Sequence, residues 1–193
     1  MASVAAIPGR SRRTSRLRTR LMGLSCRSMP RTLRPRDDAL RAELVAMAAR
    51  PADPRHADRL WAILDDYETW PGLRLVGEDG ERAAWLIVQL GDADLQRRAL
   101  PHLEAAVDQG DAHPSHYVCL LDRVRMSEGR PQVYGSQFVV HDDATLSPWP
   151  IDDPAQVDQR RFGVGLPPLA AQARDMQLQY RVRGTLWGRE WIA

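Results

Sequence analysis

The segment Gln132-Val133-Tyr134-Gly135-Ser136-Gln137 places amide, phenol and hydroxyl groups around one glycine. Read as a strand, its two-residue period puts Gln132, Tyr134 and Ser136 on one face and Val133, Gly135 and Gln137 on the other. Three polar side chains on one face suit a polar ligand, and Gly135 permits close approach. The same pattern also suits an edge strand with a solvated face, or glutamines that tie down nearby helix ends. Ten residues earlier, Asp122-Arg123 falls on a helical pattern. This pair reads either as a base with a carboxylate-binding cation or as a buried ion pair between helices. His116 is a candidate general base on the same pattern. Glu78 is a candidate acid in a glycine-flanked loop. Trp85 and Gln89 stand one turn apart on a third helical stripe, where Trp85 reads as core and Gln89 as a pocket wall.

Other chemistries lack their residues. The five histidines, His56, His102, His113, His116 and His141, show no HxH or HExxH spacing, and the two cysteines, Cys26 and Cys119, form no CxxC. The sequence therefore assigns no metal ligands, since zinc normally needs three or four. Every one of the 27 basic residues is arginine. Without lysine there is neither a Schiff base nor a P-loop. GxSxG and strand-linked GxGxxG are also missing, so no cofactor is assigned.

The elements that must position these residues follow from periodicity. Asp37 to Arg50 carries Leu40, Leu44 and Met47 on one face and stops at Pro51. Asp53-Pro54 opens a second helix as cap and first residue. Leu73 to Val76 reads as a strand or extended segment, Gly77 to Gly80 as a loop, and Glu81 to Leu90 as a third helix. Asp92 caps a fourth, which Pro101 should kink or split. Pro114 opens a fifth. Gln132 to Val140 has strand composition, with a possible return strand at Thr145 to Trp149. Asp153-Pro154-Ala155-Gln156 starts a further helix as a capping box, and a last one runs from about Pro168 past Tyr180. The expected fold is mainly α: six or seven helices in one layered, bundle-like domain with a small two-stranded hairpin.

Charge divides the chain. Residues 1–36 hold ten arginines and no acid, and the remaining 17 arginines against 25 acidic residues leave the body at −8. The expected organisation is a disordered Arg-rich leader (1–36), a helical domain (37–181) and a tail (182–193). The leader suits a targeting peptide, a disordered tail or a stretch upstream of a start at Met22 or Met29. Nucleic acid is an expected partner only through that leader, because the body repels phosphate on average. No window reaches the ~20 apolar residues of a membrane span. Sparse cysteine suggests a reducing cytoplasm.

The ordered strings Trp70-Pro71-Gly72, Val76-Gly77-Glu78, Ala83 to Gln89, Leu121-Asp122-Arg123-Val124, Gln132 to Gln137, Pro150-Ile151-Asp152-Asp153 and Val164 to Leu169 together resemble the bacterial domain of unknown function numbered 6624. The resemblance spans roughly Leu40 to Leu169. It implies a soluble bacterial domain and brings no established activity. Relatives often read Gln-His-Ala-Asp where this chain has Gln89-Leu90-Gly91-Asp92, so any role of that histidine is lost here. The sequence points first to a binding module for a small polar ligand or partner peptide, contacted by Gln132, Tyr134, Gln137, Arg123, Trp85 and Gln89. The alternative is a metal-independent hydrolase or transferase with Asp122 or His116 as base.

Overall fold

A computed structural model describes residues 37–183, and the expectations for the leader and for most of the tail lie outside them. Seven helices and one two-stranded antiparallel sheet make up the described chain, a mainly α fold. The helices are α1 (Asp38–Met47), α2 (Pro54–Tyr67), α3 (Leu73–Leu90), α4 (Ala93–Asp108), α5 (Pro114–Ser127), α6 (Val157–Gly163) and α7 (Leu169–Arg183), with strands β1 (Phe138–Val140) and β2 (Leu146–Pro148) between α5 and α6. α1 lies along α3 and α4 along α5, while α7 touches β2. Leu44, Leu60, Ile63, Val76, Ile87, Leu95, Leu103 and Leu120 fill the core that α1 to α5 enclose.

Local chemistry sets the helix starts. Asp37, Asp53 and Asp92 each accept a hydrogen bond from a backbone N–H of the first turn of the helix that follows, satisfying donors that have no intrahelical partner. Several expectations need correction. Leu73 to Val76 is helical, because Asp111, far along the chain, caps it: the Asp111 carbonyl accepts from Leu73 N (2.8 Å) and its carboxylate from Arg74 N (2.7 Å). A Cβ on Gly72 would lie 2.5 Å from that same carbonyl, so the docking needs glycine. Gly77, with φ 73° and ψ 179°, is a kink inside α3, and Gly77 to Gly80 is not a loop. The second correction is α4, which runs unbroken through Pro101. The carbonyl deprived of its donor belongs to the exposed residue Arg97, where water can serve it.

The expected long strand also shortens. Only Phe138–Val140 joins the sheet, with Phe138 opposite Pro148 and Val140 opposite Leu146, while Gln132 makes an isolated bridge to Ile151. Residues 132–137 form an irregular ribbon with Gly135 at φ 71°, so the two-faced strand argument does not apply there. Asp153 sits in the left-handed region and caps nothing; a short 3-10 turn, Pro154–Gln156, precedes α6.

Candidate functional site

A cavity of about 360 Å³ opens between the middle of α3 and the first turns of α5. Glu78, Arg82 and Trp85 line it from α3, and His113, Ser115, His116 and Cys119 from the start of α5. Its organising pair is Glu81 and His116. Glu81 points inward from α3 and is fully buried. His116 Nδ1 lies 3.0 Å from the Glu81 carboxylate, and Trp70 Nε1 donates to Glu81 Oε1 at 3.3 Å. An acid is stable at such depth only when partnered, and here an imidazole and an indole bond its Oε1, while Oε2 lies beside His116 Nδ1 without a hydrogen bond among the described residues. With Glu81 ionised, Nδ1 carries the proton and donates. That fixes the tautomer and leaves Nε2 as the ring nitrogen able to accept a proton. Trp85 stacks flat on His116, with centroids 4.3 Å apart and planes 11° apart, and His113 meets the imidazole edge-on at 5.1 Å. The ring is thus held by two aromatic contacts and at one nitrogen.

Cys119 forms another part of the wall. Burial, and then the charge of Asp122, pushes its thiol up to about 11, so it is a protonated, inert group near neutrality. Two further polar groups on α3 stand out. Trp85 Nε1 and both amide atoms of Gln89 are buried and meet no hydrogen-bond partner among the described residues. Gln89 is only 1% exposed.

The structure divides the sequence candidates between two places. His116, Glu78 and Trp85 come together at the cavity, and Gln89 follows Trp85 by one turn. Asp122, Gln132 and Gln137 are brought together elsewhere, in a sealed arrangement. The buried Asp122 carboxylate accepts from the backbone N–H groups of Val133 (2.7 Å), Tyr134 (3.1 Å) and Ser136 (3.0 Å). Gln132 acts like a strand partner, since its Oε1 accepts from Gln137 N and its Nε2 donates to the carbonyls of Gln137 and Trp149. Gln137 Nε2 donates to the Cys119 carbonyl and to Ser136 Oγ. These hydrogen bonds engage both amide atoms of Gln132 and the Nε2 of Gln137. Tyr134 is half-buried, and burial, followed by the charge of Asp122, raises its phenol above the usual tyrosine range. Arg123 is half-buried, and burial lowers its guanidinium from the usual arginine value.

Glu81, Trp70 and His113 were not among the sequence candidates. One signal was present: Glu81 shares the α3 face of Ala84 and Val88, and an acid inside an apolar stripe marks a buried, paired carboxylate. Its partner on α5 could not be read from spacing. Among the described residues no group of three or more His, Cys, Asp or Glu is arranged to hold a metal ion, and no helix is long and apolar enough to cross a membrane.

Comparison with known proteins adds a family and no activity. The model of a family of unknown function, DUF6624, matches residues 34–184. No curated protein matches, and no solved structure matches.

Proposed function

The chain belongs to this family of unknown function, and we propose that it is an enzyme of the hydrolase or transferase class in which His116 is the general base. One observation carries the reading: a wholly buried carboxylate, Glu81, is committed to orienting a single imidazole at a cavity wall. In the proposed step, His116 Nε2 takes a proton from water or a substrate hydroxyl as that oxygen attacks an electrophilic carbon or phosphorus, and the imidazolium then gives the proton to the leaving group. Glu81, holding Nδ1–H, stabilises the transient imidazolium, and Trp70 keeps the carboxylate in place. Asp122 is set aside as base, because backbone N–H groups already occupy its lone pairs. Glu78, exposed at the rim, is the remaining candidate acid. The setting is a reducing cytoplasm, consistent with a chain of two cysteines.

The test begins with a thermal-shift screen of small polar metabolites and short peptides on the full chain. Each stabilising compound is then incubated with protein and followed by mass spectrometry. Turnover that His116→Gln abolishes while binding persists supports the reading. Hits that bind wild type and His116→Gln alike and remain chemically unchanged sink it, and leave a binding module for a small polar ligand or peptide.

A further inference from the structure

Glu78 and Arg82 are the charged side chains on the α3 wall of the cavity. Both are exposed, and neither side chain makes an ion pair or a hydrogen bond among the described residues. They stand four residues apart, acid before arginine, the spacing and order that best favour pairing along a helix. Nearby charges do pair: Asp79 with Arg41, and Asp94 with Arg97. Glu78 and Arg82 instead line the hollow, about 6 Å apart along the helix axis. Trp85 follows by another turn, with His116 stacked on its ring. Along α3 the wall therefore offers a carboxylate, then a guanidinium, then the imidazole.

We propose that this wall binds the zwitterionic end of a free amino acid, with its ammonium on Glu78, its carboxylate on Arg82 and its side chain extending toward His116. The inference rests on the cavity as the substrate site and names the class of substrate: an amino acid whose side chain carries the reacting bond. Charge decides the class. An anion alone answers Arg82 but meets Glu78, and buried Glu81 adds its charge from behind His116. A cation alone answers the two acids but meets Arg82. A neutral group engages neither sign. A zwitterion answers both, and a guanidinium holds a carboxylate through two parallel hydrogen bonds. The ammonium and carboxylate of an amino acid share one carbon, so they fit between side chains one turn apart. The side chain is the remaining branch on that carbon, and one further turn along α3 brings it to Trp85 and His116. Glu78 then serves as an anchor and not as the acid, and His116 alone carries the proton to the leaving group.

The experiment uses the full chain, labelled with ¹⁵N, and follows the backbone amides of residues 78–85 and 113–119. L-Norvaline, its deaminated form pentanoate and its decarboxylated form butylamine are titrated in turn at constant pH and ionic strength. The expected result is a saturable shift with norvaline at several-fold lower concentration than with either single-charge analogue. Arg82→Gln weakens norvaline to the level of butylamine, and Glu78→Gln weakens it to the level of pentanoate. Both side chains are exposed, so both variants keep the wild-type melting temperature. His116→Gln keeps the norvaline response. No saturable response to norvaline, an equal response to pentanoate or butylamine, or norvaline binding that either charge variant leaves unchanged each overturns the proposal. Norvaline binding without any His116-dependent turnover would keep the site and sink only the catalytic reading. Turnover by His116 of a compound that lacks an amino-acid end would do the reverse.

Discussion

Asp122 and Glu81 are both buried carboxylates on facing helices, and their partners give them opposite jobs. Asp122 accepts only from backbone N–H groups and so shapes a ribbon. Glu81 faces two side chains, one of which borders a cavity. Asp122→Asn keeps the size but turns an NH₂ toward backbone donors. With one charge-assisted acceptor lost and at least one buried N–H unanswered, the expected loss is about 3 kcal/mol, read from urea unfolding. Cys119 gives a pH prediction. Its thiol is raised by burial to about 11, so the folded state disfavours the thiolate. Iodoacetamide should modify Cys119 far more slowly than an unfolded thiol at pH 8, with the rate still climbing beyond pH 10, measured in Cys26→Ser by mass spectrometry. A rate plateau near pH 9 would contradict the burial argument.

At the scale of elements, Gly77 is the decisive position in α3. Its φ of 73° and ψ of 179° lie in a region that essentially only glycine occupies. Gly77→Ala is expected to cost about 1–3 kcal/mol by denaturant titration. It should also disturb the cavity, because Glu78, Glu81 and Trp85 all follow the kink. The helices themselves were largely legible from the chain: Asp53-Pro54, Asp92 and Pro114 announce their starts, and apolar stripes give their faces. The segments that misled share one cause, a partner distant in sequence. Leu73 to Val76 looks extended until Asp111 caps it from the α4–α5 loop. Gln132 to Gln137 has strand composition, yet the N–H groups of Val133, Tyr134 and Ser136 turn to a carboxylate on α5 and not to a neighbouring strand. The site was legible in the same partial way. His116, Trp85, Gln89 and Glu78 carry suspect chemistry in their own right, whereas Trp70 acquires a role only through Glu81, a contact across tertiary space.

The whole molecule is held at its C-terminal third by arginines. Arg161, fully buried in α6, donates to the carbonyls of Tyr134 (2.7 Å), Gly135 (3.4 Å) and Pro167 (2.6 Å) and to Gln172 Oε1 of α7. Arg160 beside it donates to the carbonyls of Val133, Asp152 and Asp153. Arg161→Met keeps the bulk and removes every donor. Amides from 133 to 177 should then exchange with deuterium together and faster, while those of α1 and α2 keep their protection. Protection lost evenly across the domain would refute this division.

Arg161 also makes the cavity and helices α6 and α7 thermodynamic neighbours. The ribbon it grips is the one that Asp122 folds, and that ribbon's Gln137 is bonded to the backbone of Cys119, whose other side looks onto the cavity. A compound that fills the cavity and favours the closed ribbon should therefore slow deuterium uptake in α6 and α7, which lie outside its reach. Helices α6 and α7 would then report occupancy of a hollow they never touch.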